Sequence, residues 1–249
     1  MKNFLFATAG LAAVLVAAPA YAAPAGYVGG SYVHQNTDPG SVDSDGWLID
    51  GAAAFDASSK IGAAVNASVA DDDSAGSDSV VNVGGHLFGK GSQALYGGFV
   101  DYTDNGSANV WTFGGEGQVN VTGFTLAGSV GWANFDGSVF DDAWGAGAEA
   151  RVFPTDNLRL SGNVGYTDLK GVASALDNNV WTFGVGGEWQ PAALPISLVA
   201  DYGHSEFDKG NVSSDAFRVG ARYSFGGSLK ARNDSGADLI GSKFLGSHF

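Results

Sequence analysis

Asn109-Val110-Trp111-Thr112-Phe113-Gly114-Gly115-Glu116-Gly117-Gln118 and Asn179-Val180-Trp181-Thr182-Phe183-Gly184-Val185-Gly186-Gly187-Glu188 are two copies of one pattern. Their offset is 70 residues (181 − 111 = 70), and Trp144-Gly145-Ala146-Gly147-Ala148-Glu149 opens a related segment midway. Half that offset suits a strand–turn–strand unit with its loop. Within the first copy, Trp111, Phe113, Gly115, Gly117 and Val119 fall on one face. Val110, Thr112, Gly114, Glu116, Gln118 and Asn120 fall on the other. A period of two is the signature of a β-strand, and helical spacing does not fit.

Outward from these copies the same alternation recurs. Leu158, Leu160, Gly162, Val164 and Tyr166 oppose Arg159, Ser161, Asn163, Gly165 and Thr167. The spacing predicts about twelve strands, with 10–14 possible, over 26–34, 46–57, 60–70, 79–89, 93–102, 109–120, 123–135, 142–153, 158–168, 179–190, 195–204 and 215–225. Each is near the ~9–11 residues that cross a bilayer. Tight turns such as Gly89-Lys90-Gly91-Ser92 and Pro154-Thr155-Asp156-Asn157 alternate with longer polar connections, such as Gln35 to Asp45, Asp71 to Asp78 and Ser205 to Ser214. Prolines are expected outside the strand interiors, where a missing N–H does no harm.

The chain has 249 residues, 26 acidic against 12 basic side chains, a formal charge of −14 and no cysteine. That charge repels phosphates and argues against nucleic-acid binding. Without cysteine there is no disulfide framework, thiolate nucleophile or cysteine-held metal. Lys2, the apolar run from Leu5 to Ala18 and the small-x-small Ala20-Tyr21-Ala22 form a secretory signal peptide over 1–22. No later stretch is a membrane helix.

Alternation alone does not name the solvent on each face. Parity places Trp47, Trp111, Trp132, Trp144, Trp181 and Trp189 on the apolar face. The first five lie near the long-loop end. Phe55, Phe124, Trp189, Tyr223 and Phe225 lie near the short-turn end. Two aromatic belts around an apolar band suit a wall that faces lipid. The opposite face carries Asp50, His86, Glu116, Glu149, Arg151, Arg159, Glu188, Asp201, Arg218 and Arg222. Those charges need partners or water, which a hydrated lumen supplies.

The chain thus resembles bacterial outer-membrane β-barrels of the porin-like class, over nearly all of 23–225. The resemblance also rests on Phe217-Arg218-Val219-Gly220-Ala221-Arg222-Tyr223-Ser224-Phe225. This stretch is similar to the last-strand signal of that family, in which Phe217, Val219, Ala221, Tyr223 and Phe225 would be read by the barrel-assembly machinery. The resemblance implies an all-β, up-and-down transmembrane barrel in the outer membrane of a Gram-negative bacterium. It also implies lipid and lipopolysaccharide as surroundings. Members usually end at that aromatic, whereas here 226–249 continue. A periplasmic extension is the expected reading of this tail. A lumen plug and a further strand are the alternatives, the last opposed by Lys243 on what would be a lipid face.

The function expected is a passive channel for small hydrophilic solutes or ions. Arg151, Arg159, Arg218 and Arg222 would face Glu116, Glu149, Glu188 and Asp201 across a constriction and select solutes by charge. A salt-bridged network that closes the lumen is the alternative, making the barrel a structural or surface-interaction protein. A barrel of this size lies between side-chain-filled and water-filled cases. Well over half of the acidic residues, Asp38, Asp43, Asp71, Asp72 and Asp73 among them, fall at the long-loop end against Lys170 and Lys209. They would draw in cations or bridge lipopolysaccharide through divalent ions. Asp43-Ser44-Asp45-Gly46 lacks the acidic twelfth residue of a calcium loop. No cofactor or metal is expected. A lipid enzyme built on His86 or His204 has no serine at a usable spacing, so no catalytic residue is assigned. The solute and the oligomeric state stay open.

Overall fold

The computed structural model describes residues 24–39, 42–73 and 79–245. The expected signal peptide, 1–22, lies outside the described residues, as do Asp78 and His248. Twelve strands follow one another: β1 (Ala25–Asp38), β2 (Val42–Asp56), β3 (Ile61–Asp72), β4 (Val80–Lys90), β5 (Ala94–Asp104), β6 (Asn109–Val121), β7 (Phe124–Asp136), β8 (Phe140–Thr155), β9 (Leu158–Gly171), β10 (Asn178–Trp189), β11 (Ile196–Phe207) and β12 (Ser213–Phe225). Each pairs antiparallel with the next, and β12 pairs with β1 from Gly26↔Phe225 to Asp38↔Ser213, which closes the barrel. Closure leaves no sheet edge unpaired, the condition for a strand-built membrane span.

The expected count of twelve and the fold class are as found. The expected loops are not. β1 and β2 pair as far as Thr37↔Val42, so most of the segment read as a loop from Gln35 to Asp45 is hairpin. Likewise β11 runs to Phe207 and β12 starts at Ser213. Polar side chains extend these ladders past the length a bilayer needs. Asn36 Nδ2 donates to Asp43, His34 Nδ1 meets Asp45 Oδ1 at 2.8 Å, and Gln35 Nε2 donates to Ser214 Oγ at 2.9 Å. The asymmetry between the two ends is carried by strand extensions more than by loop length. Pro154 also departs from expectation. It lies in the last residues of β8, where the register with β9 shifts between Val152 and Thr155. A bulge tolerates the proline that a regular ladder would reject.

The tail corrects a third expectation. Its described residues, 226–245, form no thirteenth strand and lie inside the barrel, as in the lumen-plug alternative. After Phe225 the chain reverses at Gly226 and Gly227, with φ of 86° and 128°. A Cβ on Gly226 would lie 2.5 Å from the Cα of Ala25, so both the backbone angle and the space require glycine. The tail then enters the barrel as helix α1 (Leu229–Ser235), started by Ser228 Oγ accepting from Ala231 N. Lys230 N donates to the carbonyl of Asp156 in the β8–β9 turn at 3.0 Å, which places α1 at the short-turn end. Gly236 closes the helix in the left-handed conformation. The chain then climbs inside the barrel to Leu245. Two apolar clusters form a seam between wall and tail, and a third, Ala133, Ala143, Leu169 and Val180, belongs to the wall alone. Ala237 packs with Phe88, Ala64 and Leu95, and Ile240 and Phe244 pack on Ala127.

Candidate functional site: the occupied lumen

Alternation sorts the wall as the sequence implies. All six tryptophans stand on the outer surface, from 36% exposed at Trp47 to 54% at Trp111. Five of them lie toward the long strand ends. There Trp132 is directly opposite Trp144, and Tyr166 sits between Trp144 and Trp181 at ring distances of 5.5 and 5.0 Å. Tyr96, Phe124, Trp189 and Tyr223 are exposed toward the short-turn end, with Leu87, Val130, Val164 and Leu198 between. Phe217 and Val219 are exposed on the outer face of β12 as well. So large and continuous an apolar outer surface is not that of a water-soluble monomer.

The inner face is charged and buried. Asp50, Asp101, Glu116, Glu149 and Glu188 stand with Arg151, Arg159, Arg218 and Arg222, each at most 9% exposed, and Asp201 is partly buried. The two signs do not form opposing walls. They interleave around the ring and pair locally. Arg222 meets Asp50 on β2 and, at 3.4 Å, Glu188 on β10. Arg218 Nε donates to Asp201 Oδ2 at 2.9 Å and lies 3.7 Å from Asp50. Arg159 contacts Glu188 at 3.0 Å, and Arg151 Nε donates to Glu149 at 2.7 Å. A buried ion retains its charge only with such close partners. Separate acidic and basic walls would have left each sign repelling itself.

The tail completes this network. Arg232 is fully buried and grips Glu188 with two bonds, at 2.9 and 2.7 Å. It also donates to Ser224 Oγ at 3.0 Å and to Asp238 Oδ2 at 3.1 Å. Its guanidinium lies 4.7 Å from the ring centre of Tyr27, and that of Arg222 lies 4.1 Å away. Arg151 donates to Asn233 Oδ1 at 2.8 Å, Gly241 N to Glu116 Oε2 at 2.9 Å and Lys243 Nζ to Glu149 Oε2 at 2.9 Å. Burial alone would raise the Asp238 carboxyl. The guanidinium groups of Arg232, Arg159 and Arg151 outweigh it and hold the carboxyl below its ordinary value. Burial likewise opposes the Arg232 charge, and Asp238 with Glu188 more than restores it.

Above Asp238 the tail relies on missing side chains. A Cβ on Gly147 would collide with the Phe244 ring, and one on Gly165 would come within 2.5 Å of it. At Gly145 and Gly131 an added Cβ would lie 2.7 and 2.8 Å from Leu245. The Thr167 hydroxyl donates to the Phe244 carbonyl.

Arg232, Asn233, Asp238, Phe244 and Leu245 are thus site residues that the sequence reading did not assign. The available signal was the run of glycines at inward parity on β7, β8 and β9, which leaves room for a guest. His86 and His204 both have carboxylate partners. His86 bridges Glu116, at 2.6 Å, and Asn66, at 2.8 Å, and His204 meets Asp215 at 2.9 Å. No cluster of three or more metal-ligating side chains occurs among the described residues.

These features define a closed twelve-stranded antiparallel barrel of outer-membrane type, with an apolar outside and a charged, occupied inside. Solved structures of that class share the architecture. An outer-membrane channel from Pseudomonas putida F1 superposes with a TM-score of 0.60 at 12% identity, over 83% of this chain and 99% of that one. The KdgM porin in complex with disordered oligogalacturonate gives 0.53 at 15%, over 80% and 100%. The translocator domain of the autotransporter NalP from Neisseria meningitidis gives 0.51 at 14%, over 90% and 98%. At these identities the likeness is one of fold. No protein-family model matches the chain, and no curated protein matches it by sequence.

Proposed function

We propose that the protein is a porin-like channel of the Gram-negative outer membrane, not an enzyme. Its lumen passes small hydrophilic solutes or ions, and its own C-terminal segment limits that passage. The observation that carries this reading is the charged lumen closed by residues 228–245, a segment tied to the wall by side-chain contacts and joined to it through Gly226-Gly227. A wall built only for mechanical closure has no need of inward carboxylates whose partners arrive on a separate segment. The exposed aromatics would anchor the barrel in lipid and lipopolysaccharide. The outward Phe217, Val219, Ala221, Tyr223 and Phe225 of β12 would serve the assembly machinery after export by the signal peptide. Similarity of fold to a porin and an outer-membrane channel supports the class of activity.

A closed structural barrel is the second reading, favoured by the full burial of Arg232 and Asn233. The two part on conductance. The native chain has no cysteine, so Ala127→Cys with Ile240→Cys, in packing contact, gives a bond that oxidation alone can form. In planar bilayers the reduced double variant should conduct intermittently and the oxidised one should stay silent. A chain ending at Phe225 should conduct steadily. A silent but correctly inserted truncated barrel would leave the structural reading in place.

A further inference from the structure

The tail does not fill the lumen. Beside it lies a cavity of about 220 Å³, bounded by β2, β3, β4, β12 and the segment from Gly236 to Lys243. Its lining combines both charges with neutral polar groups. Asp50, Arg159 and Arg222 border it, along with Asn66, Ser68 and Asn82. Asp50, Arg159 and Arg222 are each at most 8% exposed as whole residues. Each also holds one polar atom with no protein partner among the described residues: Asp50 Oδ1, Arg159 Nε and Arg222 Nε. These atoms are themselves enclosed, so a guest meets the rest of each charged group, and the cavity presents both signs of charge to it.

We propose that this cavity binds a small zwitterionic solute, one that carries an ammonium or guanidinium group together with a carboxylate. The inference rests on the lumen being a solute path and names what that path receives. The lining sets guanidinium groups beside the carboxylates of Asp50 and Asp101. A simple anion would pair with the guanidinium groups and meet Asp50 and Asp101. A simple cation would satisfy Asp50 and meet four guanidinium groups. A neutral polyol hydrogen-bonds to both without offsetting either charge. A zwitterion pairs with both signs, and charge-assisted hydrogen bonds are the stronger kind.

The tail supplies an independent argument. It places Arg232 against Glu188 and Asp238 against Arg159, at 3.5 Å, on the same network. The pair is a cation and a carboxylate 3.1 Å apart, held by the wall as the solute would be. The tail thus wears the charge pattern of the guest beside which it sits. The volume is below the ~300–1,000 Å³ typical of drug-sized sites, which sets the guest at about the size of an amino acid.

The test is equilibrium dialysis of the refolded full chain in detergent micelles against labelled L-alanine and L-arginine. Methylammonium, acetate and glucose serve as the comparison probes. The zwitterions should be retained and the other three should not. Asp50→Asn should weaken retention on the order of tenfold, the scale of a lost charged hydrogen bond. Ser68→Phe fills the cavity from β3 without removing a charge. It should abolish retention while the barrel keeps its heat-modifiable gel mobility, and it covers the case in which Asp50→Asn does not fold. No retention of zwitterions would overturn the proposal, as would equal retention of all five probes or retention unchanged by Ser68→Phe. Binding is read without a bilayer. A silent barrel that retains zwitterions therefore counts against the channel alone, and a conducting barrel that does not retain them counts against this site alone.

Discussion

The two sides of the lumen are built by opposite means. On β7, β8 and β9 the inward positions are Gly131, Gly145, Gly147 and Gly165, and the tail lays Phe244 and Leu245 against them. On β2, β3 and β4 the inward positions keep Asp50, Asn66, Ser68 and Asn82, and a cavity remains. The first side recognises the tail by what it lacks, since close packing needs only space and an apolar ring. The second keeps room for polar guests by bearing groups that the tail's apolar side chains cannot satisfy. Between them, Glu188 and Arg159 hold Arg232 and Asp238 and fix how deep the tail sits. Occlusion is thus one-sided, and each side can be altered separately.

The largest effect should come from the anchor that both sides share. Arg232→Ala removes four hydrogen bonds at a fully buried position. Loss of one partner from a buried pair costs about 3–5 kcal/mol. Here that cost should fall on docking of the tail and spare the wall, because Glu188 keeps Arg159, Arg222 and Ser197. The barrel should retain its folded gel mobility while protease gains access to 228–245. A tail as protected as in the native chain would show that the anchor is dispensable.

A smaller and one-sided effect is expected from Gly147→Leu. The three nearest atoms to a Cβ there all belong to Phe244, so the substitution strains the tail and not the barrel. Overpacking of this kind costs about 1–3 kcal/mol. The fraction of time the pore is open should rise. Ser68→Ala, a small change across the lumen, should leave that fraction unaltered. Equal responses from the two would erase the distinction between the sides.

Most of the barrel was legible because its information is local. Alternation is set by neighbours in the chain, so Trp111 and Glu116 declare their faces whatever lies opposite. The inward charges were legible for the same reason. Their partners were not. That Arg222 meets Asp50 depends on β12 closing onto β1, which brings residues 172 apart together. The ring order then interleaved signs that were expected to face each other. Parity rightly argued against a further strand in the tail, but it is blind to whether a non-strand segment enters the lumen or leaves it. Lys243 spoils a lipid face, yet inside the lumen it is a partner for Glu149. Its apolar Leu239, Ile240, Phe244 and Leu245 find their complement only in inward glycines from other strands.

The smallest and most graded effect is that of pH, and its sign follows from Asp238. Docking brings this carboxyl among three guanidinium groups and lowers its value from the ~3.9 of a free aspartate. Its contribution to docking is therefore complete above that ordinary value and is lost as pH falls through the lower, docked one. Arg232 stays charged throughout, since its own value is raised. Open probability should be flat from pH 7 to about 5 and should climb toward pH 3. In Asp238→Asn the carboxylate partner of Arg232 is absent at every pH. That variant should start more open at pH 7 and climb less, because the carboxyl whose protonation releases the tail is gone. If both chains trace the same acid limb, Asp238 does not couple protonation to the tail, and release must be driven from the wall.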